Sequence, residues 1–168
     1  TPSASCQHGG GARYRAGSHG TVTGFTASDY QKSGCIASAA GTEVSASNLD
    51  ITGTVDAPLA QLGMQISSGA KAYIDAAYVK DNICQHVNCG PDAWTKATSL
   101  GLLNFGAAEV TVRNSSFRNN DVGIYDYNTG LGEIKYTDIS ANKFTGLAID
   151  SSSSAMKIHD NSMDDQPM

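Results

Sequence analysis

Gly101-Leu-Leu-Asn-Phe105, Gly123-Ile-Tyr-Asp-Tyr127 and Gly146-Leu-Ala-Ile-Asp150 are three versions of one phrase, a glycine in front of a short alternating run. Each is followed by a second run. These are Val110-Thr-Val-Arg-Asn-Ser-Ser-Phe-Arg-Asn-Asn120, Ile134-Lys-Tyr-Thr-Asp-Ile-Ser-Ala-Asn142 and Met156-Lys-Ile-His-Asp-Asn-Ser-Met163. The glycines step by 22 residues (101 to 123) and 23 residues (123 to 146). A period in the twenties made of short alternating strands predicts a solenoid in which each repeat is one coil.

Working back toward the N-terminus, the same phrase recurs with longer steps. Gly63-Met-Gln-Ile66 leads into Ala72-Tyr-Ile-Asp-Ala-Ala-Tyr-Val-Lys-Asp-Asn82, and Gly34-Cys-Ile-Ala37 leads into Glu43-Val-Ser-Ala46 and Leu49-Asp-Ile51. The step from 63 to 101 predicts a loop insertion near residues 83–99, which holds Cys84, Cys89 and the single tryptophan, Trp94. Residues 1–20, with Gly9-Gly-Gly11, read as a ragged start to a single domain over 1–168, or as part of a longer helix. About six coils are expected in all.

Composition narrows the classes. Gly (18), Ser, Thr, Asn and Asp are abundant while charged residues make up 16%, which suits many short strands joined by tight turns. The net charge of −5 disfavours a nucleic-acid partner. No apolar run approaches the ~18 residues of a membrane span. Four cysteines in a Gly/Ser/Thr-rich chain favour disulfides and a secreted or extracytoplasmic location. Pairing 84–89 would close a small loop, and 6–35 (Cys6 to Cys35) would tie down the N-terminus. The rival is a metal site at Cys84-Gln-His-Val-Asn-Cys89, which lacks a fourth ligand and the usual double spacing.

The alternation Gly-apolar-x-apolar, a turn, then apolar runs ending in Asn, over roughly residues 12 to 164, resembles the parallel β-helix repeat family with the pectate-lyase-like fold. Asp29-Tyr-Gln-Lys-Ser-Gly34 and Ala60-Gln-Leu-Gly-Met-Gln-Ile-Ser67 look like segments of secreted actinobacterial members. The resemblance implies an all-β, right-handed parallel β-helix. It implies little about activity, because the fold serves lyases, hydrolases, epimerases, spikes and binding scaffolds. The family's catalytic signatures are missing. Ser18-His-Gly20 is a weak echo of one, and Asp164-Asp165 reads as a solvated tail.

Stacking the coils in register defines columns of side chains. The inward pairs would be Cys35/Ala37, Met64/Ile66, Leu102/Asn104, Ile124/Asp126 and Leu147/Ile149. Asn104 and Asp126 break the apolar pattern. Either they satisfy each other inside, or the strands end there and both point to a turn, which is the preferred reading. The outward neighbours Leu103, Phe105, Tyr125 and Tyr127 would form an apolar-aromatic patch, exposed or covered by Trp94. Aligning Ile51, Ile74, Val112, Ile134 and Ile158 as inward residues gives a second outward column, Thr52, Asp75, Arg113, Lys135 and His159. Its basic part suits an acidic polysaccharide, because arginine forks onto carboxylates; ordinary solubilising charge is the plainer explanation. The resemblance adds that β-helix lyases draw a proton with Arg or Lys, often beside calcium, for which Asp75, Asp126 and Asp150 are the acidic candidates.

Three functions follow. The first is an exported carbohydrate binder or processor with Trp94 and the aromatic patch as binding residues. The second is a small-molecule enzyme of cyclase or isomerase type, holding an apolar substrate on the patch. Catalytic candidates for either chemistry are Arg113, Asp126, Lys135 and His159. The third is a structural module that self-associates through its coil ends or the patch. No cofactor other than calcium is suggested.

Overall fold

The computed structural model describes residues 9–87, 89–90, 96–152 and 155–163. In chain order the strands are β1 (Gly10–Arg15), β2 (His19–Thr23), β3 (Thr26–Ser28), β4 (Ser33–Ser38), β5 (Glu43–Thr52), β6 (Leu62–Ser67) and β7 (Lys71–Lys80). They continue as β8 (Leu100–Phe105), β9 (Glu109–Arg113), β10 (Ser116–Arg118), β11 (Val122–Tyr127), β12 (Leu131–Lys135), β13 (Thr145–Asp150) and β14 (Met156–His159). Among the described residues there is no helix. The chain alternates between two sheets. The first has the order β1-β4-β6-β8-β11-β13, and the second β14-β12-β9-β7-β5-β2, with β3 on β5 and β10 on β7. Every pairing is parallel.

The repeated glycine has a steric cause. A Cβ on Gly63, Gly101 or Gly123 would lie 2.5 Å from the carbonyl oxygen of the equivalent glycine one rung on. Only a residue without a side chain lets the backbones stack that closely.

In the first sheet the register is the one expected. Cys35, Met64, Leu102, Ile124 and Leu147 form one inward column, and Ala37, Ile66, Asn104, Asp126 and Ile149 the next. The preferred turn reading of Asn104 and Asp126 is wrong. Both are fully buried within strands, and Asn104 Nδ2 donates to Asp126 Oδ2 at 2.9 Å. Thr129 donates to the same oxygen at 2.9 Å, and Ser152 donates to Oδ1. These three donors allow a carboxylate to occupy an aliphatic column.

The second sheet corrects one alignment. Ala46, not Ile51, stands in the column of Ile74, Val112, Ile134 and Ile158, and Ser47 replaces Thr52 beside Asp75. Ile51 belongs to a later column, against Val79. Between the two runs the backbone turns through a left-handed residue in every rung: Gly24, Asn48, Ala76, Asn114, Tyr136 and Asp160, with φ between 47° and 63°. That residue resets the inward–outward alternation.

Asparagines seal the following corner. Asn82, Asn120 and Asn142 are fully buried, and each amide donates to the next, at 2.8 Å and 3.2 Å. Beside them the buried Asp121 accepts through Oδ2 from the backbone N–H groups of Cys84 (3.0 Å) and Ser99 (3.1 Å). One carboxylate thereby fixes both ends of the 84–99 stretch. Within it Cys84 and Cys89 are disulfide-bonded, so the metal-site reading falls away. The expected 6–35 bridge is not made: Cys35 is a free thiol buried in its column. Burial pushes its pKa up to about 11. Cys6, Trp94 and the Asp164-Asp165 pair lie outside the described residues.

Candidate functional site on the outer face of the second sheet

Side chains alternate along a strand, so fixing Val112, Ile134 and Ile158 inside fixes Arg113, Lys135 and His159 outside. Parallel register then places those three side by side, following Asp75. The basic stripe therefore exists, but it is organised by a carboxylate that the sequence reading omitted. Glu133 projects from the same strand as Lys135, two residues earlier. Arg113 donates to its Oε2 through Nε at 3.1 Å and through Nη2 at 2.6 Å. Lys135 Nζ lies 3.3 Å from Oε2, and His159 Nε2 lies 3.4 Å from Oε1. Lys157 follows Glu133 in register on β14. Period-two counting back from Lys135 would have found Glu133.

The electrostatics follow from that convergence. Arg113, Lys135 and His159 hold the Glu133 carboxyl at about 2, with Arg113 the largest contributor. Glu133 in turn raises the Arg113 guanidinium. His159 is raised above its ordinary value by Asp160, whose Oδ2 is 2.8 Å from Nδ1, and then by Glu133. Aromatic rings frame the cluster. The Arg113 guanidinium sits 5.6 Å from the centre of the Tyr73 ring and Lys135 Nζ 5.6 Å from that of Tyr136. Both tyrosines are exposed. A shallow groove of about 120 Å³ runs on from Tyr73 past Ser45, Lys71 and Thr111. Neither tyrosine entered the sequence reading, although Tyr73 precedes Asp75 by two residues and so shares its face.

The remaining candidates are elsewhere. Asp126 is sealed inside the first sheet, so it cannot meet a substrate together with Arg113, Lys135 and His159. Leu103, Phe105, Tyr125 and Tyr127 do come together on the outer face of the first sheet. Phe105 and Tyr127 stack with ring centres 5.0 Å apart, and Phe105 is 46% exposed. Asp75, Asp126 and Asp150 do not converge, and among the described residues no three His, Cys, Asp or Glu side chains gather to hold a metal ion.

Residues 93–166 match the family model of the right handed beta helix region. Over that span, less than half of its length, the chain is similar to the right-handed parallel β-helix family. No curated protein and no solved structure matches the chain. No described helix is long and apolar enough to cross a membrane. That likeness agrees with the parallel rungs and leaves the ligand open, because one such scaffold hosts many chemistries.

Proposed function

We propose that this chain is an exported β-helix of about six coils, with a loop inserted near residues 83–99, that binds carbohydrate with a preference for acidic polysaccharide. The observation that carries the reading is the convergence of Arg113, Lys135 and His159 on one carboxylate, between two exposed tyrosines. A constellation that grips Glu133 so firmly has the donor geometry to grip a uronate carboxylate at the same place, with Arg113 as the forked donor. Tyr73 and Tyr136 offer flat apolar surface to sugar rings. The Cys84–Cys89 bridge supports an oxidising compartment.

Binding is favoured over catalysis. A carboxyl held at about 2 does not carry a proton near neutrality, so Glu133 is a poor general acid. Arg113 is held protonated and is a poor base. The test is titration calorimetry with a polyuronate and a neutral glucan, on the wild type and on R113A. Polyuronate binding that R113A weakens at least tenfold supports the proposal. No binding to either polymer, or binding that R113A leaves intact, overturns it. A second reading, an apolar small molecule on the Phe105–Tyr127 stack, rests on the exposure of Phe105 and would show as binding sensitive to F105A alone.

A further inference from the structure

Parallel register runs one outward column from Ser45 on β5 through Tyr73 on β7 and Thr111 on β9 to Glu133 on β12. The shallow groove beside Tyr73 is therefore continuous with the Glu133 cluster, and it follows the axis of the solenoid rather than a strand. Glu43 and Ser45, Lys71 and Tyr73, and Glu109 and Thr111 line it, a pair from each of three adjacent strands. Strands repeat at about 4.8 Å, close to the length of one pyranose residue. A linear glycan laid along this column meets one rung per sugar.

The charge changes sign along the way. At the cluster, Arg113 and Lys135 stand against one carboxylate, Glu133. Around Tyr73 the balance is reversed. Glu43, Lys71 and Glu109 form the adjoining column. Lys71 Nζ is already 3.4 Å from Glu109 Oε2. His19 Nδ1 lies 3.8 Å from Glu43 Oε2, too far for a hydrogen bond. Two residues along the strand from Tyr73, Asp75 accepts from Asn114 Nδ2 at 2.8 Å. Among the described residues around Tyr73, three carboxylates thus share one ammonium group. Such a surface repels a further acidic sugar, yet it accepts hydrogen bonds from sugar hydroxyl groups, and bonds to an ionised acceptor are the stronger kind. Tyr73, 41% exposed, supplies a flat apolar surface among them.

We propose that this groove selects a neutral sugar next to the bound uronate, so that the ligand of this face is a mixed acidic polysaccharide, with uronate and neutral residues interspersed, rather than a homopolymer of uronate. The inference rests on the reading of the Glu133 cluster as a uronate site. The uronate lies at the Arg113 rung and its neutral neighbour over Tyr73, one rung back along the column. Hydroxyl groups of the neutral sugar donate to Glu109 and exchange hydrogen bonds with Thr111. A carboxylate in the same place would face Glu109 and Asp75, with Lys71 already engaged.

The test is titration calorimetry on the full chain with one oligogalacturonate in three forms: unmodified, with half of its carboxyl groups reduced to primary alcohols, and with all of them reduced. Length and linkage stay the same, so only the charge varies. The half-reduced form is expected to bind wild type about threefold tighter than the unmodified form, and the fully reduced form most weakly of all. The variant E43Q/E109Q keeps acceptor oxygens in the groove and removes two charges. Its affinity for the unmodified form should rise about threefold, and the preference should disappear. A preference that survives in E43Q/E109Q overturns the proposal. So does a wild type that binds the unmodified form as tightly as the half-reduced one while R113A weakens both; the uronate site then stands and the selection by the groove falls. Failure of all three forms to bind overturns the uronate site and the groove together.

Discussion

Replacing Asp126 with alanine should be among the most damaging single changes in the molecule, although the residue touches no surface. The carboxylate accepts from Asn104, Thr129 and Ser152. Asn104 is fully buried, Thr129 is 1% exposed, and Asn104 Oδ1 already has no hydrogen-bond partner. D126A removes three acceptor contacts, each contributing about 1 kcal/mol net, and orphans at least two buried donors at about 1–3 kcal/mol each. Relief from burying a carboxylate offsets part of that sum. The expected net loss is about 3 kcal/mol, a fall in Tm of roughly 10 °C for a chain of this size. The assay is urea denaturation followed by circular dichroism, with the slope m checked for constancy. The double variant N104L/D126L is the sharper half of the test. It makes the column aliphatic between Ile66 and Ile149, and removing both partners of a buried polar pair is often neutral. It should therefore recover most of what D126A loses. A D126A protein within ~0.5 kcal/mol of wild type, or a double variant no more stable than D126A, would refute the reasoning.

The other predictions are read on the same purified chain. E133Q removes the internal competitor for Arg113 and Lys135, and calorimetry should show polyuronate binding tightened roughly fivefold. Glu133 is lowered from its ordinary 4.5 to about 2, so its stabilisation is complete above 4.5 and lost as pH falls toward 2. His159 is raised above its ordinary 6.5, so its share is complete below 6.5 and lost as pH rises through the raised value. The Tm difference between wild type and H159Q should thus be largest near pH 5–6 and shrink on both sides. Cys35, held near 11 and buried, should resist a thiol reagent in the native protein and react once urea unfolds it. Losing the Cys84–Cys89 bridge, with its sequence separation of 5, should cost roughly 2 kcal/mol in the urea assay.

How far the sequence could be read depended on how loudly each residue states its environment. Gly63, Gly101 and Gly123 recur because their backbones stack too closely for a Cβ, so the glycine spacing carried the fold directly. Leu102, Ile124 and Met64 are large and apolar, so the first-sheet column they form was legible. Ala46 is small and sits between serines, and the larger Ile51 drew the alignment to itself. The left-handed Asn48 between them leaves no mark that distinguishes it from any other asparagine. Asn104 and Asp126 looked like turn residues because each is expensive to bury alone. Their compatibility depends on Thr129 and Ser152, which reach them only in three dimensions. In the site, the three cations were legible as a stripe. The carboxylate that binds them together was passed over, since a charge pattern read column by column hides partners two residues away along the strand.

A β-helix separates what holds it together from what it displays, and the Glu133 cluster shows how. Ile134 is fully buried and supports β12 from within, while Glu133 and Lys135 on either side of it face outward, where Glu133 pairs with Arg113 and Lys135. Exchange of an outward residue leaves the inward column intact, so the outer face can take on new chemistry at little cost to the fold. The same alternation makes the site rigid. Arg113, Glu133 and His159 sit on three adjacent hydrogen-bonded strands, and their spacing is set by the ladder rather than by loops. Under the proposed function, such a cluster would discriminate by the spacing of carboxylates along its ligand. Polyuronates that differ in linkage should therefore bind unequally, in an order that R113A flattens.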